Sequence, residues 1–448
     1  MTVVGRPEGH DHVMPLPGQR PMAGMSRVAT AGAAPSSPTP PGTGPTSHQE
    51  RGRGAPQLQR VLFVHNGYRV RGGEDSVVDS EIELLRQRGH EVIEYRRHND
   101  EIGAGSKLSL LRDTIWSPRS HADVRRLIRE QQVDVVHVHN TLPLVSPAVY
   151  WAAAAESVPV VQTLHNFRLM CPQALFLREE RVCEDCVGHV PWRAVRHRCY
   201  RDSTVQSAVV AGMLTTHRML GTYRDKVTRY IALNEFCRTK FIEGGLPADR
   251  IVLKPNFVDL PPQDVAERRQ GGLFVGRLSK EKGLSVLSEA AKRLPQPNIT
   301  VIGGGELEPE ARAAFGERMV GFKPLPEILA LMSAASYLVI PSIWYENFPR
   351  TIVEAYACGL PVIASRLGAL PEIVVEGHSG LLFDPGSPQD LADKLAWAEA
   401  HPHEMRQMGH NARALYERLY TPQRNYERLI EIYAEARQAV PGRAAQAA

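Results

Sequence analysis

The chain has 448 residues, 43% of them hydrophobic, and 53 Lys and Arg against 49 Asp and Glu give it a formal net charge of +4. That length suits two ordinary domains, and so slight a basic balance gives no reason to expect a nucleic-acid partner. No apolar run approaches the roughly 20 residues needed to span a bilayer, so a soluble protein is expected.

Residues 1–56 are rich in Pro, Gly, Ser and Ala without periodicity and are expected to form a disordered tail. Met1 to Arg20 has no apolar core of the secretory type, which points to a cytoplasmic location. The apolar run from Arg60 to His65 then predicts a buried strand, followed by Gly72-Gly73-Glu74 and a helix to about Arg88. Gly72 and Gly73 lack the third glycine of a dinucleotide fingerprint, which argues against a dehydrogenase. They permit close backbone approach to a ligand; a plain tight turn is the competing reading. The segment from Ser106 to Trp116 mixes apolar and cationic residues and suits contact with a membrane surface, though core packing accounts for the same stripe.

Two further strands, within residues 133–140 and 158–166, end in polar residues. Ligands of open parallel sheets bind outside the carboxyl ends of the strands, so His139, Asn140, His165 and Asn166 are expected to line a cleft. For His139 a structural hydrogen-bonding role competes. Next come Cys171, eleven residues to Cys183, two to Cys186 and twelve to Cys199. Four thiolates at this spacing suit a closed, structural Zn²⁺ site, with His189 or His197 as substitute ligands. The alternative is four reduced thiols in a loop-rich insertion, about 167–200.

Residues 251–259 end the first domain, and 261–269 read as a linker at which domains would close. The second half opens with a strand from Gly271 to Gly276, then Arg277, Lys282 and an amphipathic helix to Leu294. Arg277 and Lys282 flank a strand-to-helix turn where both could reach a pyrophosphate without a metal. Solvated loop charges are the bland alternative. A strand ending at Pro341 leads through Glu346 to a helix that starts near Pro349 and closes at Gly359. The first-turn N–H groups of Arg350, Thr351 and Ile352 would favour an anion. Glu354 falls off the apolar stripe, either facing that ligand or pairing with Arg350 four residues earlier.

Together these residues resemble glycosyltransferase family 4, retaining enzymes of the GT-B fold, an α/β architecture in which two Rossmann-like domains face each other across a cleft. The carriers are Val275-Gly276-Arg277-Leu278 with Glu281-Lys282-Gly283, then Glu346-Asn347-Phe348-Pro349 through Glu354, and Gly380-Leu381-Leu382-Phe383. The likeness runs from about Arg60 to Tyr433. It implies an acceptor domain at 57–258, a nucleotide-sugar domain at 270–415 that includes Gly276, and helices at 416–440 that cross back to the first domain. Arg277 and Lys282 would hold the donor diphosphate, Glu354 the ribose hydroxyls and Glu346 the donor sugar. Backbone groups of Asn347 and Phe348 would complete the sugar site, with Thr351 in the helix start beside it. Phe322 lies in the segment whose backbone meets the donor base. His165 matches the family's Thr-x-His segment and would stabilise charge on the sugar or its leaving phosphate. Where many relatives are glycine-rich after the first glutamate, this chain has Pro349, which removes one backbone donor.

The resemblance further implies transfer of a sugar from a nucleotide-sugar to a glycan or lipid-linked acceptor, without a catalytic metal. By precedent the setting is cell-envelope polysaccharide or glycolipid assembly, peripheral at the inner face of the membrane. A catalytically silent sugar-nucleotide-binding partner protein is the alternative.

Overall fold

The apolar runs form two parallel six-stranded sheets in a computed structural model that describes residues 59–104, 107–261 and 269–440. The tail at 1–56 and most of the linker at 261–269 lie outside those residues. The first sheet comprises β1 (Arg60–Gly67), β2 (Glu91–His98), β3 (Val135–Val138), β4 (Val160–Thr163), β7 (Arg229–Ala232) and β8 (Ile251–Leu253). A short antiparallel hairpin, β5 (Leu177–Arg178) and β6 (Arg181–Val182), interrupts it in the chain but lies outside the sheet. The second sheet comprises β9 (Gly272–Val275), β10 (Ile299–Ile302), β11 (Met319–Gly321), β12 (Tyr337–Ile340), β13 (Val362–Ser365) and β14 (Gly380–Phe383).

Strand order is β2-β1-β3-β4-β7-β8 in the first sheet and β11-β10-β9-β12-β13-β14 in the second. In each, the chain starts mid-sheet, builds to one side, then returns to build to the other. Loops leaving β1 and β3, and those leaving β9 and β12, therefore diverge at a switch point, where open α/β sheets bind ligands. Both faces are covered, which explains the near-continuous apolar runs. Leu62 and Val64 of β1 join one core while Val61 and Phe63 join another; Leu338 and Ile340 of β12 alternate likewise with Tyr337 and Val339.

Glycine is obligatory at one turn that shapes the site. Gly283 has φ 71°, and a Cβ there would collide with the carbonyl oxygen of Pro341, so the turn after β9 sits directly on the end of β12. Leu429, Ile432, Tyr433 and Ala436 of the helix Pro422–Gln438 pack against Val61, Phe63 and Val78, so this last helix belongs to the core of the first sheet. The helix expected to reach Leu294 stops at Ala291, preceded by a 3₁₀ turn at Lys280–Lys282.

Of the segment 106–116, a helix covers Lys107–Ile115 and its end points inward. Ile115 packs on the Met213 and Leu214 cluster, and its carbonyl lies 2.8 Å from His217 Nε2. Among the described residues no helix is long and apolar enough to cross a membrane.

Candidate functional site

On the second sheet, the loops after β9 and β12 are tied together. Lys282 Nζ donates to Glu346 Oε1 at 2.7 Å, and Ser342 Oγ donates to the same oxygen at 2.7 Å. The amide of Ile343 donates to the Glu281 carbonyl at 3.0 Å, fixing the backbones around that pair, and Lys282 Nζ stands 5.3 Å from the centre of the Trp344 ring. Glu346 is only 5% exposed, so its carboxylate depends on these partners. Arg277, beside Gly276, is two-thirds exposed and has Glu281 at 3.5 Å, leaving its guanidinium free to swing toward a ligand.

The helix Arg350–Ala357 begins at its cap Pro349. The amide of Ile352 donates to the Pro349 carbonyl at 3.1 Å, so one of the three amides expected to await an anion is engaged. Thr351 is partly buried in the same turn. Arg350 Nε lies 3.2 Å from Glu354 Oε1, and Arg350 also reaches Ser80 Oγ of the first domain at 3.4 Å. The helix pair weighed against a ligand role is therefore formed. Burial raises the Glu354 pKa, and Arg350 only partly offsets this. Phe322 is 84% exposed.

Asn347 behaves differently from expectation. Its carbonyl accepts from Asn234 Nδ2 and faces Cys237 Sγ at 3.6 Å, and its own Nδ2 donates to the Leu164 carbonyl at 3.4 Å. The carbonyl is thus committed to the first domain instead of being held for a sugar. Phe348 is buried, its ring 5.6 Å from that of Tyr420.

The contact with Leu164 brings the polar end of β4 against the loop that carries Glu346. His165 Nε2 and His139 Nδ1 are 2.8 Å apart, and the rings stack at 5.1 Å. His165 is partly exposed, whereas the side chains of His139 and Asn140 are buried. Asn140 Nδ2 donates to the Asn66 carbonyl and its Oδ1 accepts from the Leu142 amide. The expectation that His139 and Asn140 line the cleft is corrected: both side chains are buried behind it, Asn140 with its amide atoms bonded inside the protein and His139 with Nδ1 against His165 and Nε2 without a hydrogen-bond partner. Asn166 is partly buried and its Nδ2 donates to Glu74 Oε2 at 3.3 Å.

Beneath the histidines lies a charged core that the sequence reading missed. Lys254 Nζ donates to Glu81 Oε1 at 2.5 Å, with both side chains fully buried. Glu81 Oε2 lies 3.8 Å from His139 Nε2 and 3.9 Å from His137 Nδ1, while His137 also bonds Tyr433 and Thr163 at 2.8 Å. Glu81, His137 and His139 have a metal-like clustering, but the Lys254 ammonium already supplies the cation. Burial drives the pKa values of His137 and His139 well below the usual imidazole range, and that of His165 down to about 3, with the charges of His65 and Lys254 adding to the effect. These shifts favour the neutral form of all three near pH 7.

Gly72 and Gly73 are exposed at a helix start. Gly72 has φ −116°, and a Cβ on it would meet only Asp75 Oδ2 at 3.8 Å, while one on Gly73 would meet nothing within 4 Å. The turn does not itself require glycine. Asp75 Oδ2 accepts from the Gly72 amide at 2.8 Å and its Oδ1 pairs with His65 Nε2 at 2.9 Å. Burial would raise the Asp75 pKa, but the bonds from His65 and Gly72 outweigh it and hold the carboxyl below its usual range. Cys171, Cys183, Cys186 and Cys199 carry free thiols around one small cavity.

The model of the family "Glycosyltransferase Family 4" matches residues 71–261, and that of "Glycosyl transferases group 1" matches 262–415. The amylovoran biosynthesis glycosyltransferase AmsK of Erwinia amylovora is 30% identical over 207 residues, 40% of this chain and 51% of AmsK. The chain thus spans about half of that relative's length. The D-inositol 3-phosphate glycosyltransferase of Segniliparus rotundus is 32% identical over 320 residues, 57% of this chain and 71% of that protein. Two solved structures share the fold. Anabaena HepE in complex with UDP has a TM-score of 0.59 at 18% identity, covering 84% of this chain and 100% of HepE. Thermosynechococcus elongatus sucrose-phosphate synthase has 0.63 at 19%, covering 85% and 100%. The two sheets with their switch points facing one cleft, and these matches across both halves, show that the chain belongs to glycosyltransferase family 4 and has the GT-B fold.

Proposed function

We propose that the protein transfers a sugar from a nucleotide-sugar to a hydroxyl of a glycan or lipid-linked acceptor, with retention of anomeric configuration, in polysaccharide or glycolipid assembly. The carrying observation is the Lys282–Glu346–Ser342 cluster, whose loop is joined by the Asn347–Leu164 contact to the strand end that carries His165. The departing diphosphate carries the developing charge. Arg277, Lys282 and the amides of Arg350 and Thr351 at the start of the helix Arg350–Ala357 are the groups to receive it, so the reading requires no catalytic metal. UDP bound to HepE supports a nucleoside diphosphate as the leaving group.

Glu346 orients the donor sugar by accepting from its hydroxyls. The negative Glu81 favours a proton on His139 Nε2, which leaves His139 Nδ1 to accept from His165 Nε2. His165 then presents the lone pair of Nδ1 and accepts a sugar hydroxyl. Retention follows if the acceptor attacks on the face the diphosphate leaves, the phosphate taking the acceptor's proton. Glu354 binds the ribose diol after exchanging its bond to Arg350, and exposed Phe322 flanks the base. The protein would act in the cytoplasm, peripheral to the inner membrane face.

The test is to incubate the purified protein with UDP-, GDP- and ADP-sugars and follow release of nucleoside diphosphate, alongside Glu346→Gln. Release from one donor, lost in the variant, is expected. Tight binding with no release under any condition, including with added acceptors, would instead identify a silent binding partner.

A further inference from the structure

We propose that Cys171, Cys183, Cys186 and Cys199 hold one Zn²⁺ ion, and that this ion fixes the wall on which Tyr345, and so Glu346, rests. The four residues are spread over 29 positions of sequence yet surround a single cavity, and none is in a disulfide. The backbone is bent around the first of them. The Ala174 amide donates to the Cys171 carbonyl at 2.8 Å, and Ala174 and Phe176 take φ values of 70° and 49°, in the left-handed region.

Charge agrees with that reading. Four thiolates around Zn²⁺ leave a net charge of about −2, and Arg178 and Arg193 stand on the cavity rim to offset it. Arg178 is itself fixed by Asp185 at 2.7 Å. Binding releases each Sγ proton to solvent as its Zn–S bond forms. The segment also has little regular structure of its own: its hairpin has two-residue strands, and β6 is exposed. Small loop-rich elements of this kind are commonly held by a metal.

The loop so held touches the donor side. Phe176 is fully buried between Cys171 and Cys183, accepts the Cys183 amide at 2.8 Å, and has its ring 6.1 Å from that of Tyr345. Glu184, between Cys183 and Cys186, pairs with Lys240 at 2.9 Å, and Lys240 Nζ stands 6.0 Å from the centre of the Phe236 ring, which packs edge-on against Tyr345 at 4.8 Å. Tyr345 immediately precedes Glu346. Loss of the ion would loosen both supports.

The metal half is tested without activity, by elemental analysis of the full chain purified with no added metal and again after loading with Zn²⁺ and desalting. About one zinc per chain is expected. Four thiols should be shielded from a thiol reagent until a chelator is added, and Co²⁺ should give a tetrahedral thiolate spectrum. Zinc should be lost in Cys183→Ser/Cys186→Ser; if that variant fails to fold, the shielding and Co²⁺ spectrum of the wild type decide alone. No retained metal and no shielding would overturn the proposal. The coupling half rests on the donor reading: titration with UDP, GDP and ADP should show at least about tenfold weaker binding of the preferred nucleotide after stripping. Unchanged binding would overturn the coupling. Binding of none of them by the zinc-loaded protein would count against the donor reading and leave the zinc stoichiometry standing.

Discussion

Lys282 Nζ lies 2.7 Å from Glu346 Oε1, and this ion pair joins the loop after β9 to the loop after β12. In the proposed donor complex the ammonium would be shared between the carboxylate that orients the sugar and the diphosphate that leaves. Lys282→Ala removes the cation while Glu346, 5% exposed, keeps only Ser342. A cost of about 1–3 kcal/mol is expected, because Lys282 is itself partly solvated. Glu346→Gln retains both hydrogen-bonding partners in shape, so it should unfold within about 1 kcal/mol of wild type while kcat falls about 100-fold or more. Denaturant unfolding beside steady-state turnover separates the two effects, and a Glu346→Gln protein of normal kcat would remove Glu346 from the chemistry.

The Lys254–Glu81 pair is the stronger test of the core. Both side chains are fully buried, so Lys254→Met strands a carboxylate and should cost about 3–5 kcal/mol. Adding Glu81→Leu should recover much of that loss, since an apolar pair of similar volume needs no partner. A double variant no more stable than Lys254→Met alone would show that the pair is not the source of the effect.

Acid should destabilise the first domain through its histidines. His137, His139 and His165 are neutral in the fold because burial lowers their pKa values, whereas in the unfolded chain they take protons below the ordinary value near 6.5. The unfolded state then binds more protons, so stability is complete above about pH 6.5 and declines as pH falls toward the folded values. From His165 alone the loss by pH 5 should be about 1–2 kcal/mol. Unfolding free energies at pH 7 and pH 5 measure it, and His139→Gln should flatten the slope.

The strand runs and the turns after β9 and β12 were legible because each is local. A sheet covered on both faces writes its strands as continuous apolar stretches, while Lys282 and Glu346 stand in short turns and Glu354 in a helix whose ends the sequence marks. The layer behind the cleft was not legible. Glu81 reads as one more charge in a helix and Lys254 as a strand-end lysine, and only the packing of the helix Gly73–Gln87 against β3 and β8 joins them. The commitment of the Asn347 carbonyl to Asn234 was hidden for the same reason, since 113 residues separate the partners. Asp75 left a signal, three residues after Gly72 at a helix start, the spacing of a side chain that caps.

Phe322 offers a clean probe of the base site. At 84% exposure it contributes little to folding, so Phe322→Ala should leave the unfolding midpoint unchanged. Loss of stacking on a nucleotide base is worth about 1–3 kcal/mol, which corresponds to a rise in donor KM of about tenfold or more with kcat nearly constant. An unaltered KM would place the base elsewhere.

Calorimetric titration of UDP, GDP and ADP into the wild-type protein and into Arg277→Ala tests the central claim most directly. The account predicts that one nucleoside diphosphate binds with micromolar or tighter affinity and that removing the Arg277 charge weakens it about tenfold or more. Equal binding by both proteins, or heat from none of the three nucleotides, would contradict a donor diphosphate site at the ends of β9 and β12.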